Sequence, residues 1–260
     1  MLSESGWRFL VFITLFLLIV AGELLWPRRE LHFPKWVRWR RNLSLIGLNA
    51  LILGLLMPIS LSMVALRAQT DHLGLLNQLQ SGPATNVIVG LVWMDLVVYW
   101  QHRWFHRLPF LWRFHKVHHL DLDIDVTSGL RFHPIEIILS WCIKAAAVLF
   151  MGVSPSVVLI SEMVINGAAM FNHGNIALPL GLDRWLRRII VTPDMHRIHH
   201  SVARSETDSN YGFCLSWWDY LFFSYTAQPE QGHISMELGL RGYRSFSHHT
   251  LLYLLRLPFK

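Results

Sequence analysis

Long apolar runs alternate with short polar stretches through the first two thirds of the chain. The first run, Phe9 to Trp26 (FLVFITLFLLIVAGELLW), is long enough to cross a bilayer core and carries a single acid, Glu23, near its end. It predicts a membrane-spanning helix. No small-residue cleavage site follows it and the basic residues come after it, which argues against a cleaved signal peptide. A second span is expected over Leu43 to Leu66, where Pro58 either kinks the helix or marks its end. Ala84 to Trp100 predicts a third. Ile135 to Met151 and Ser156 to Phe171 flank the turn GVSP as an apolar hairpin. Both segments are short and carry Lys144, Glu162 or Asn166, so full spans and a re-entrant hairpin both fit.

Charge orients these segments. The stretch between the first two spans holds Arg28, Arg29, Lys35, Arg38, Arg40 and Arg41, whereas the one between the second and third holds only Arg67. The first is therefore expected on the cytoplasmic side. Counting crossings then puts residues 102–134 and everything after residue 171 on that side too. Composition agrees with a membrane protein: of 260 residues 53% are hydrophobic and only 15% charged. The net charge of +6 raises nucleic acid as a partner, but the basic residues flank apolar spans, so anionic lipid headgroups are the expected partner instead. Cys142 and Cys214 are too few and too far apart for a disulfide framework or a CxxC site.

The informative polar residues are histidines. Eight of the fifteen fall in three tight clusters: His102 and His106 (HRWFH), His115, His118 and His119 (HKVHH), and His196, His199 and His200 (HRIHH). Positions i, i+3 and i+4 share one face of a helix, so each cluster can aim its imidazoles at one point. At this chain's histidine frequency one HxxHH arises by chance in roughly one sequence of twenty and two in roughly one of a thousand. An isolated histidine such as His32 or His72 carries no such weight. Without thiolates, such a set suits iron, zinc, copper or nickel. In WMDLVVYWQHRWFH, Asp95, Tyr99, His102 and His106 share a helical face, so the imidazoles emerge where the third span leaves the bilayer. Phe171, Asn172 and His173 end the hairpin at the same level, which adds His173 as a ninth ligand. His133, in RFHPIE, suits a helix start as well as it suits ligation.

These residues resemble the fatty acid hydroxylase superfamily, also called the sterol desaturase family: integral-membrane, non-haem di-iron oxygenases. HRWFH, HKVHH, RFHP, NHGN and TPDMHRIHHS, followed by TDSNYG and LSWWDYLF, carry the resemblance from about Asp95 to Tyr225. It implies that His102, His106, His115, His118, His119, His173, His196, His199 and His200 hold two metal ions, with His133 as a possible tenth ligand. Other branches carry a further histidine pair near the hairpin where this chain shows only His173. Asn172 or a water is then a candidate to complete the shell, with His248 and His249 a distant alternative.

The expected fold is an all-α integral-membrane helical bundle with a cytoplasmic helical cap carrying the histidine-rich dinuclear site. Residues 1–83 are expected to form an N-terminal transmembrane hairpin with its basic loop, and residues 84–260 the catalytic unit of membrane helices and cap. Neutral imidazoles leave the charge of two Fe²⁺ ions uncompensated, so carboxylates behind the ligands are expected. Asp95, Asp121, Asp194 and Asp219 are candidates, Asp95 first among them because it lies within a span on the His102 face.

Attack on an unactivated lipid C–H bond calls for O₂ and a redox metal, so hydroxylation or desaturation of a lipid is the expected reaction. Zinc could replace iron during purification. The chain has no GxGxxG, P-loop or CxxC cluster, so electrons must come from a separate donor protein. The substrate is expected to enter sideways from the bilayer into a pocket between the third span and the hairpin. A metal transporter is the rival of another class, but transport needs polar residues along a path through the membrane. A zinc hydrolase is a second rival, but it takes three protein ligands and an open position, where this chain offers nine or ten histidines. The compact length and the lack of an ER-retrieval tail point to a bacterial inner membrane, with the site on the cytoplasmic face.

Overall fold

The computed structural model describes residues 3–260, which form fourteen α-helices, short 3₁₀ turns and, among the described residues, no strand ladder. Helix α1 (Glu4–Leu25) starts at Ser3, whose hydroxyl caps the Gly6 amide. Helices α2 (Lys35–Leu56) and α3 (Leu61–Thr70) divide the second apolar run, and a short α4 (Leu75–Gln78) follows it. Pro58 marks an end rather than a kink: α2 stops at Leu56 and Ser60 caps a new helix. Helices α5 (Pro83–Arg107), α6 (Pro109–His119), α7 (Pro134–Met151) and α8 (Pro155–His173) follow. Each opens with a proline at its first turn, where the missing N–H costs nothing.

The segments Glu4–Leu25, Lys35–Gln78, Pro83–Arg107 and Pro134–Met151 are long and apolar enough to cross a membrane, and the protein is an integral membrane protein. At 18 and 19 residues, α7 and α8 run about 27 and 29 Å, close to the ~30 Å of hydrocarbon in a bilayer. Outward-facing Phe9, Leu17, Leu18, Leu51, Leu55 and Ile88 are exposed, as lipid-facing residues must be. Inside, Leu61, Ala65, Met94, Val148 and Val157 pack α3, α5, α7 and α8 together. At the turn between α7 and α8, Gly152 has φ 76°, and a side chain on Gly74 would meet the Gly152 amide at 2.2 Å. Glycine at both positions lets the two turns touch.

A cap sits at the other end, where α1, α5 and α8 finish and α2 and α7 begin. It contains α6, the buried loop 120–133 and α9 (Leu180–Leu186), α10 (Pro193–His199), α11 (Arg204–Thr207), α12 (Trp217–Leu221), α13 (Gly232–Ser235) and α14 (Leu251–Arg256). The basic stretch fastens this cap. Lys35 to Arg41 form the first turns of α2 rather than a loop, and most of their charge is engaged inside the protein. Arg38 is buried against Asp121, Asp125, the Asp123 carbonyl and Ser128. Arg28 makes a bidentate pair with Asp194, Arg29 reaches the Met236 carbonyl, and Arg41 lies over the Phe246 ring. Internal partners thus engage much of this basic charge, while Arg40 stays exposed. Glu23, the lone acid of the first run, accepts the Val126 and Asn175 amides and bonds Lys35.

Candidate metal centre

Helix α5 continues two turns beyond its apolar stretch, so His102 and His106 project from one helical face into the cap. Helix α6 supplies His115, His118 and His119, α8 ends on His173, and α10 with its C-cap supplies His196, His199 and His200. All nine are buried. They gather into two groups, each with donor atoms within 4.8 Å of one another: His102, His106, His115, His119 and His199 in one, and His118, His173, His196 and His200 in the other. HKVHH thus divides between the groups, His118 to one and His115 with His119 to the other, and HRIHH divides in the same way.

The imidazoles present their Nε2 atoms inward because several Nδ1 atoms are occupied behind. Nδ1–H of His102 donates to the Tyr211 carbonyl, that of His199 to Ser209, that of His118 to Arg131 and that of His173 to Ala169. His115 Nδ1 lies 2.6 Å from Glu136 Oε1. A neutral ring that donates through Nδ1 has only a lone pair on Nε2. His118 and His173 are both in this state, yet their Nε2 atoms stand 3.1 Å apart. Two facing lone pairs repel unless a cation lies between them. Ligands bound at about 2.1 Å to one ion sit roughly 3.0–3.4 Å from each other, which is the spacing seen here. The buried Nε2 atoms of His102, His115 and His199 have no protein partner at all. The donor set therefore fits two metal ions.

Burial keeps these rings neutral, the state a ligand needs. It lowers the His115 pKa to about 3, and burial together with neighbouring imidazoles holds His118, His119, His196, His199 and His200 well below the ordinary histidine range. Glycine at 129 allows the loop to approach: a side chain there would meet the Ala169 carbonyl at 2.4 Å and His173 Nδ1 at 3.1 Å.

The other sequence candidates lie elsewhere. His133 joins neither group. It is the N-cap of α7, its Nδ1 accepting from the Ile135 amide, with Nε2 3.3 Å from the Leu255 carbonyl, so it takes the helix-start role. Asp95 touches no imidazole: its carboxylate accepts the Cys214 and Leu215 amides and the Trp218 indole N–H. It thereby holds the 211–218 segment, whose Tyr211 carbonyl orients His102. Asn172 donates to the Phe213 carbonyl, and Asp194 is paired with Arg28 and Arg197. Asp121 braces the carbonyl-bearing loop through Arg38 and Arg131. Although burial alone would raise its pKa, those guanidiniums hold it below the usual carboxylate range. Asp219 accepts the Tyr211 and Gly212 amides. His248 and His249 join neither group.

Sequence reasoning missed Glu136 and the carbonyls of Ser209 and Tyr211. Glu136 carried a signal, being the one acid of a mostly apolar helix and placed in its first turn. The TDSNYG turn carried another, since Asn210 takes φ 49°, a conformation asparagine tolerates, and its amide ties the turn to the Met195 and Thr226 carbonyls.

A cavity of about 300 Å³ runs from this centre into the membrane bundle between α2, α5, α7 and α8. His102 and His115 stand at its cap end, and Leu53, Val98, Ile137 and Ile165 line it below.

Comparison with known proteins agrees with this geometry. The family model for fatty acid hydroxylase matches residues 87–224. The chain is 31% identical over 159 residues to ornithine lipid hydroxylase OlsE of Rhizobium tropici, covering 61% of this chain and 46% of that protein. It is 30% identical over 138 residues to alkylglycerol monooxygenase of Homo sapiens, covering 53% and 30%. A putative Delta(7)-sterol-C5(6)-desaturase 2 of Arabidopsis thaliana is 29% identical over 143 residues, covering 52% and 46%. The chain thus spans less than half the length of each of these relatives. No solved structure matches it. With more than half of its length matched, and every histidine of both groups inside the match, the chain belongs to the fatty acid hydroxylase family.

Proposed function

We propose that the protein is a membrane-bound non-haem di-iron oxygenase that hydroxylates or desaturates a lipid C–H bond. It uses O₂ and electrons from a separate donor protein, with its active site on the cytoplasmic face of a bacterial inner membrane. The observation that carries this reading is the meeting of two inward-facing imidazole groups with a largely apolar cavity inside the membrane bundle. Bound iron supplies the redox chemistry that activates O₂ against an inert C–H bond.

The nine histidines His102, His106, His115, His118, His119, His173, His196, His199 and His200 are the proposed ligands. Leu53, Val98, Ile137 and Ile165 hold an acyl or ring substrate and exclude water, leaving one of its carbons beside His102 and His115. Glu136 fixes the His115 ring and makes it a stronger donor. The relatives act on an ornithine lipid, an alkylglycerol and a sterol by name, which supports a lipid substrate and leaves its kind open. The orientation rests on Arg28, Arg29 and the basic first turns of α2, which lie at the cap end.

The test is anaerobic purification with iron, metal counting, then exposure to O₂, a reductant system and total membrane lipid. Two irons per chain and a lipid product heavier by one oxygen, or lighter by two hydrogens, are expected. Iron-loaded protein that leaves every lipid unchanged would overturn the proposal.

A further inference from the structure

The cavity has a second polar end. Lys144 on α7 and Asn166 on α8 line it far from the histidines. Lys144 lies eight residues along α7 from Glu136, about 12 Å deeper in the bundle, and Asn166 lies seven residues before His173 on α8, about 10 Å deeper. Between the two ends the walls are largely apolar, with Leu53, Val98, Ile137 and Ile165, and the polar residues there, Gln101 and Ser140, are bonded to each other.

Among the described residues, Lys144 Nζ and the Asn166 amide make no hydrogen bond, and no carboxylate stands within ion-pairing distance of Lys144. The acid on the facing helix, Glu162, is already taken: Arg8 Nη1 bonds it at 2.5 Å, and Arg8 Nη2 bonds Ser62. The field of that shared Glu162 reaches Lys144, but an ammonium in the hydrocarbon zone with no bonded partner is still costly. A cavity built only for an alkyl tail has no use for one.

We propose that Lys144 and Asn166 form a subsite for an oxygen acceptor, so that the cavity selects a lipid bearing a carboxylate or hydroxyl roughly 12 Å from the carbon placed beside His102 and His115. The inference rests on the oxygenase reading of the same cavity. It narrows the substrate to amphiphiles whose polar function enters the bundle first, or which are polar at both ends. An acyl chain entering methyl-first leaves both groups unsatisfied.

The test uses iron-loaded protein in phosphatidylcholine nanodiscs and three radiolabelled probes of equal chain length, palmitic acid, 1-hexadecanol and n-hexadecane, with protein-free discs subtracted. Wild type should hold the two oxygenated probes at least tenfold more tightly than hexadecane. Lys144→Met should erase that preference while leaving hexadecane binding unchanged, Lys144→Arg should keep it for palmitic acid, and Asn166→Leu should weaken it about threefold. Equal affinities in wild type, or an intact preference in Lys144→Met, would overturn the subsite. If Lys144→Met does not load iron, Lys144→Arg and Asn166→Leu carry the comparison. A probe preference without any lipid oxidation would support the subsite and count against the oxygenase reading. Identical oxidised lipids from wild type and Lys144→Met would do the reverse.

Discussion

The two imidazole groups share two chain segments, α6 and α10, yet are built differently. One has five rings, adjoins the cavity through His102 and His115, and has a carboxylate, Glu136, behind one ring. The other has four rings, backed only by the Arg131 and Ala169 carbonyls, and the Nδ1 atoms of His196 and His200 are buried without a partner. A carboxylate behind an imidazole raises its basicity and fixes its orientation more than a carbonyl does. The five-ring group should therefore hold its ion more tightly, and the four-ring group should have coordination positions to spare.

The largest effect that would break this comparison comes from removing a ring. His173 Nε2 contacts those of His118, His196 and His200, so His173→Ala leaves three donors and should lower iron from two per chain to one. His102→Ala leaves four donors in the other group and should keep nearly two. Both should lose activity by roughly 100-fold or more. Metal counting on the two variants decides the matter: equal loss in both would mean that the groups are equivalent.

Glu136→Gln comes next. The five-ring group should lose about 10- to 100-fold in metal affinity, while the four-ring group keeps its own. A chelator titration followed by iron release should show two phases in wild type, with the faster one from the four-ring group. In Glu136→Gln the two should converge. Unchanged phases would remove the role assigned to this carboxylate.

What was legible in the sequence follows the range of the interactions. The histidines were readable because i, i+3 and i+4 spacing is local, and the spans were readable because apolar runs are local. The groups behind them were not. Glu136 lies 21 residues from His115, Tyr211 lies 109 from His102, and Arg38 lies 83 to 87 from the aspartates it binds. No periodicity links such pairs. Asp95 is buried on α5 along with His102, but its partners, the amides of Cys214 and Leu215, belong to backbone that no side-chain pattern reveals.

Acid should act on the metal-free protein through both groups. An unfolded histidine titrates near pH 6.5, whereas the folded His115 titrates at about 3 and five others are shifted the same way. Above about pH 6.5 both states are neutral and these rings add no pH dependence. Below it the unfolded chain takes up protons that the folded chain refuses, so stability falls as pH drops, and for His115 the fall continues to about pH 3. Each such histidine contributes a slope of up to about 1.4 kcal/mol per pH unit. Denaturation midpoints of the metal-free protein at pH 7.5 and 5.5 should differ clearly, and a flat profile would contradict the burial of the rings.

The smallest effects separate support from ligation. Asp95→Asn keeps the shape of a carboxylate that accepts three N–H donors but removes an acceptor oxygen, and should cost about 1–3 kcal/mol of stability. Because Asp95 acts on the 211–218 segment rather than on a ring, its effect on metal should be confined to the five-ring group, through the Tyr211 carbonyl and His102. His133→Ala removes a helix cap and the contact to the Leu255 carbonyl and should cost about 1–2 kcal/mol with both ions retained. His133→Asn should recover the capping part of that stability, since asparagine caps well. Loss of an ion from either His133 variant would make that ring a tenth donor, in place of the helix cap seen at the start of α7.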